Sequence, residues 1–262
     1  NKLVFLLIFI LQSLFFSLVI MANAYYMPQI VQSMEEAIGY AEALSINPQA
    51  ADISMLQKKN PLGDDPLLIS RNYDSIIKNS MSLLLSVFAI FALINGFAWY
   101  LASNIGKSKS LFSLKNLLPY LLKFFAVALL LFAFLYIFSY NLANIVSSSF
   151  LSANPADSVD FAPLLLIAAI AIYFAYIAIP LLGKIRIGSL AKSSFSVGTK
   201  KFIPVISSCL VILVLIAASL FLVFYLAELN LFLLLIAVLL SVFVFAWAKI
   251  YFSVVIRKLS GL

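Results

Sequence analysis

Lys249 is the residue whose type and position raise the question of chemistry first, because it closes a run of eighteen mostly apolar residues that begins at Leu231. Arg257 lies eight residues later, about 12 Å along a helix at 1.5 Å per residue, further than a lysine stem readily reaches by snorkelling. If Arg257 marks a membrane interface, Lys249 lies inside the bilayer, where a charge is costly and kept for function. Alternatively, Leu231–Ala248 nearly spans alone, Lys249 is the boundary, and Ile250–Leu259 lies along the surface. The sequence favours this second reading. Asn95, Asn141 and Asn144 are further polar residues within apolar runs. They can hydrogen-bond between helices for about 1–2 kcal/mol or less, or line a polar pathway; packing is the preferred role.

Other chemistries find no residues to carry them. No carboxylate falls at the middle of an apolar run, since Glu228 sits in a short turn, so an ion-coupled transporter lacks its usual buried acid. Histidine is absent, and Cys209 is the single cysteine, which removes the commonest metal ligand and any internal disulfide. Asp64, Asp65 and Asp74 carry oxygen ligands suited to Ca²⁺, but their spacing fits no EF-hand loop, and a solvated face is the preferred reading. There is no phosphate-binding glycine loop, no H-E-x-x-H, no G-x-S-x-G and no paired-aspartate transferase signature. The sequence therefore predicts no catalytic residue, cofactor or metal.

Composition decides which elements carry these residues. The sequence is 65% hydrophobic and 10% charged, against roughly 45–50% and about 25% in soluble domains. Polar residues are too few to cover a water-soluble fold, so lipid must solvate much of the surface. A spanning helix needs about 20 apolar residues, and six stretches qualify: 3–26, 80–103, 120–146, 162–183, 203–227 and 231–256. Backbone amides find no water in lipid, so each must be helical. The expected fold is all-α, a polytopic bundle of six spans forming one domain over residues 1–262.

Charge orients the bundle. Lys107, Lys109 and Lys115 precede span 3, while Lys184, Arg186, Lys192, Lys200 and Lys201 precede span 5, without an acid in either segment. With Lys2, Lys123, Lys249, Arg257 and Lys258 they place thirteen of the seventeen Lys/Arg residues on one face and all ten acids on the other. Lys/Arg excess near span ends marks the cytoplasmic side. Both termini are thus expected inside a cell membrane, with residues 27–79 outside. The same cations can attract anionic headgroups at about 1 kcal/mol each near the surface or meet an acidic partner. Nucleic acid is not expected, because the loops are short and lack a stacking platform.

Asn1-Lys2, the apolar run and Met21-Ala22-Asn23-Ala24 resemble a signal peptide with its cleavage site. However, the run from Leu3 to Ile20 has eighteen residues, more than the usual 7–15, so a retained anchor is expected. Ile30, Met34, Ile38 and Ala41 then recur at helical spacing, which extends the first helix to about Leu44. Asn47-Pro48, Asn60-Pro61-Leu62-Gly63 and Asp65-Pro66 punctuate a loop, and a return helix begins near Asn72.

Phe97-Ala98-Trp99, Phe174-Ala175-Tyr176 and Phe245-Ala246-Trp247 recur in spans 2, 4 and 6, and Lys109-Ser110-Leu111-Phe112-Ser113 matches Lys192-Ser193-Ser194-Phe195-Ser196. Three repeated helical hairpins account for this pattern, with the basic segments as surface helices leading into Pro119 and Pro204. Ala168, Ala171, Ala175 and Ala178 form a seam of small residues that permits close helix contact. The three-hairpin plan is superficially like mitochondrial carriers, but their P-x-[DE]-x-x-[KR] signature is missing. The basic-Ser-Phe-span pattern is similar to six-span prokaryotic membrane proteins of the glycerophosphodiesterase-membrane-domain type and their archaeal relatives, a resemblance that implies no activity. The leading expectation is a non-enzymatic embedded subunit or scaffold with a membrane-protein partner or second copy. The runner-up is a permease for an uncharged or lipid-like substrate, and a lipid-processing enzyme comes third.

Overall fold

The computed structural model describes residues 2–44, 67–105, 114–151, 162–228 and 230–261, and every regular element among them is helical. In chain order these are α1 (Lys2–Leu44), α2 (Leu68–Ile90), a π-helical turn (Phe91–Asn95), α3 (Gly96–Ser103), α4 (Leu114–Leu151), α5 (Ala162–Leu181), α6 (Ile187–Lys200), α7 (Phe202–Ala227) and α8 (Leu231–Ser260). Five stretches among the described residues are long and apolar enough to cross a membrane: Lys2–Tyr40, Ser70–Ser103, Lys115–Asn141, Phe202–Ala227 and Leu231–Ser260. A sixth apolar helical stretch, Leu165–Leu181, is shorter.

The chain divides into two compact units, residues 16–90 and residues 1–15 with 91–262. Within the first, the Ser33 hydroxyl of α1 donates to the Ser75 hydroxyl of α2 at 3.1 Å. The helix runs to Leu44 as its spacing predicts, but its buried positions there are Ile30 and Ser33, while Met34 and Ile38 are exposed. Asp64, Asp65 and the three proline turns lie outside the described residues, and Asp74 is exposed.

The second unit is built around α8, which packs along α7 and also touches α3, α5 and α6. Asn230 starts α8 by accepting the Phe232 amide at 2.7 Å, one of the orphan N–H groups that every helix start exposes. Gly261 ends it with φ 69°, the left-handed conformation that glycine adopts without penalty. The helix does not break at Lys249 but runs on to Ser260. Phe252, Ser253 and Ile256 continue the inward stripe of Lys249 at helical spacing and are fully buried, so burial carries the helix on past the charge.

Two glycines allow close approach. A Cβ on Gly96 would stand 2.9 Å from the Phe124 ring of α4, and one on Gly198 would stand 2.7 Å from the Phe174 ring of α5. The second basic segment is a helix, α6, which packs on α5 with Gly198 against Phe174 and buries Leu190, Ser194 and Val197. For the first basic segment, 106–113 lie outside the described residues. From Leu114 onward that segment is already α4, with Pro119 inside the helix rather than in its first turn.

Candidate functional site

Lys249 comes together with two residues that lie far from it in sequence. Its ammonium donates to Gln12 Oε1 on α1 and to Asn95 Oδ1 at the end of the π-helical turn. All three side chains are buried, Lys249 at 8% exposure, Asn95 at 4% and Gln12 at 3%. Gln12 reaches this point because Val4, Ile8 and Gln12 form one buried i, i+4, i+8 stripe. Asn95 is aimed by the π-helical turn, whose extra residue rotates the succeeding helix by about 100° relative to an unbroken α-helix. The Lys249 nitrogen is thus held by two neutral amide oxygens, which satisfy two of its donors.

The other predicted polar positions separate from this knot. Asn141 is exposed and donates to the Ile137 carbonyl of its own helix at 2.7 Å, so it links no second helix. The side chain of Asn144 lies outside the described residues, as do Lys107 and Lys109. Lys115, Lys184, Arg186, Lys192, Lys200 and Lys201 are exposed.

Two cations close helix ends instead. Lys123 of α4 donates to the Leu182 and Ile185 carbonyls at 3.3 and 3.1 Å, just beyond α5. Arg257 of α8 donates to the Ser103 and Ile105 carbonyls at 3.0 and 3.1 Å, at the end of α3. Helix C-termini carry partial negative charge and unpaired carbonyls, which explains why both helices end against a cation.

The alanine stripe of α5 is only partly a packed seam. Ala168 and Ala178 are buried, whereas Ala171 and Ala175 are half-buried and line an open apolar groove of about 560 Å³ between α4, α5 and α6. Leu130, Phe134 and Leu190 contribute to its walls. Ser194, 3% exposed, also lines it, and its buried hydroxyl has no hydrogen-bond partner among the described residues. A helical serine ordinarily satisfies itself on a carbonyl one turn back, as Ser208 does on Pro204 at 2.8 Å. An orphaned hydroxyl in an apolar wall is a place for a ligand acceptor.

A second recess of about 300 Å³ lies where α3, α4 and the end of α5 meet, lined by Tyr100, Asn104, Asn116, Tyr120, Lys123 and Gly183 among others. Among the described residues its lining holds one cation and no carboxylate, and the Tyr120 hydroxyl and the Asn104 amide already donate to the Ile179 and Tyr100 carbonyls at 3.3 and 3.0 Å. On the α7 side of α5, a third, apolar recess of about 400 Å³ involves Tyr173, Gly198 and Phe202. Of the triplet aromatics, Trp99 and Tyr176 meet edge to face at 5.4 Å and Tyr176 lies against Phe252, while Trp247 stacks on Tyr251.

Sequence reasoning missed Gln12, Ser194, Lys123 and Arg257. The signal for Gln12 was a lone amide in the first apolar run. For Lys123 the signal was a lone cation inside the stretch 120–146, while Ser194 and Arg257 are not distinguished from neighbouring serines and cations. No family model matches this chain, and neither a curated protein nor a solved structure matches it.

Proposed function

We propose that this chain is a non-catalytic, multi-pass membrane protein that takes a lipid-like molecule from the bilayer into the groove between α4, α5 and α6, in the manner of a permease. The observation that carries the reading is the buried, unpartnered Ser194 hydroxyl in an otherwise apolar wall. Such a wall suits a hydrocarbon chain that brings one acceptor, for example an ester carbonyl. A groove of about 560 Å³ also falls within the roughly 300–1,000 Å³ of small-molecule sites. The groove lining contains no acid or base, which favours binding or passage over reaction.

In this reading α5 is the sixth span, since its 20 residues extend about 30 Å, the thickness of the hydrocarbon core. The Lys/Arg asymmetry supports both termini on the cytoplasmic side. Exposed apolar positions on α7 such as Leu213 and Phe224 are what lipid contact alone requires, so they give the embedded-subunit role no particular support. Native mass spectrometry after exchange into a lipid-free detergent tests the proposal. A lipid retained by the wild type and lost in Ala175→Trp supports it; no retained lipid, or equal retention in both, overturns it.

A further inference from the structure

The polar recess and the apolar groove succeed one another along the same sides of two helices. On α4, Asn116, Tyr120 and Lys123 line the polar recess, and Ala126, Leu130 and Phe134 line the groove. These positions advance by three or four residues at each step, which keeps them on one helix face. On α5, Ala171, Ala175 and Ala178 line the groove, and Leu182, just past the helix end, lines the polar recess. From Lys123 to Phe134 the rise is about 16 Å, close to the roughly 15 Å depth of one leaflet's hydrocarbon.

Resting on the lipid-binding reading above, we infer that the recess at Lys123 is the headgroup site of that lipid and selects an acidic, phosphate-bearing headgroup. Lys123 has three N–H donors and spends two on the Leu182 and Ile185 carbonyls, leaving one for a ligand. The Tyr100 phenol and the Asn116 amide line the same recess and add neutral donors. An anionic oxygen here meets a cation and hydrogen-bond donors with no opposing carboxylate in the lining, while the acyl chain runs past Ala175 toward Phe134. A zwitterionic headgroup would bring its own ammonium to a recess that already holds one, so like charges separate the two classes. The exposed Lys184, two residues beyond Leu182, raises the local potential for anions further.

The test measures lipid retention by the intact chain after incubation with vesicles of phosphatidylglycerol or phosphatidylcholine. Wild-type protein is expected to prefer phosphatidylglycerol by about tenfold, equivalent to one well-placed charge interaction. Lys123→Met is expected to lose that preference while still holding a lipid, and Lys123→Arg to keep it. Because Lys123 also closes α5, Asn116→Leu at an exposed position serves as a second variant and should reduce the preference by severalfold. Equal retention of the two lipids by the wild type, or an unchanged preference in both Lys123→Met and Asn116→Leu, overturns the headgroup assignment. Saturable binding of inorganic phosphate that needs Lys123 and is not competed by phosphatidylglycerol also overturns it, because the recess is then a free-anion site. Failure of the wild type to retain either lipid refutes the lipid-binding reading itself, which keeps the two failures apart.

Discussion

Lys249 of α8 and Gln12 of α1, 237 positions apart in the chain, share a buried hydrogen bond. With Asn95, 154 positions from Lys249, they tie α1, the π-helical turn and α8 at one point. Removing the ammonium leaves two buried amide oxygens without a donor, and such orphaned groups cost about 1–3 kcal/mol each. Lys249→Met is therefore expected to lower the melting temperature in detergent, and Gln12→Leu to do so less. The double variant should lose less than the sum of the two, as partners in one network do. Strict additivity would show that the three residues do not act together.

That contact also shows where reading the sequence stops. Lipid forces apolar runs to be helical, so the helix type and the extension of α1 to Leu44 were legible from composition and periodicity. The partnership of Gln12 with Lys249 was not, because spacing says nothing about which distant helices meet. A count of eighteen apolar residues placed Lys249 at a boundary; the buried stripe through Phe252 and Ile256 continues past it. The alanine stripe was visible as small residues, but whether a neighbouring helix closes over Ala171 and Ala175 or leaves a groove depends on where α4 and α6 stand. The π-helical turn before Gly96 left no mark in the sequence pattern.

Gly198 should tolerate almost nothing. Its added Cβ would meet Phe174, Ile177 and Tyr173 at 2.7, 3.0 and 3.1 Å, and such overpacking typically costs about 1–3 kcal/mol. At Gly183 the nearest atom to an added Cβ is 3.6 Å away, an ordinary contact. Thermal unfolding should accordingly separate Gly198→Ala from Gly183→Ala. Equal melting temperatures would mean that α6 does not lie against α5 as described.

Ser194 offers a test of a different kind. Its hydroxyl has no partner among the described residues to lose and bears the cost of a buried unmet group, so Ser194→Ala is expected to leave stability unchanged or raise it, by at most about 1–3 kcal/mol, while weakening lipid retention. A drop in stability comparable to that of a hydrogen-bonded serine would indicate a structural role and remove the ligand argument.

Orientation is open to cysteine labelling in a Cys209→Ala background. Lys192 and Asp74 are both exposed and fall on opposite sides by the charge asymmetry. A cysteine at position 192 is expected to react with an impermeant reagent only from the cytoplasm, and one at 74 only from outside. Reaction of both from the same side would refute the proposed topology.

Occupancy of the groove between α4, α5 and α6 by a lipid chain is the point on which the proposed function stands or falls. A phospholipid with a photoactivatable acyl chain, added to the delipidated protein in detergent and mapped by peptide sequencing after illumination, reads that occupancy residue by residue. Saturable adducts concentrated on groove residues such as Leu130, Ala175 and Leu190, and competed away by unlabelled lipid, are the expected result. Adducts spread evenly over exposed positions such as Leu213 and Phe224, and unaffected by competitor, would rule out a lipid site in the groove.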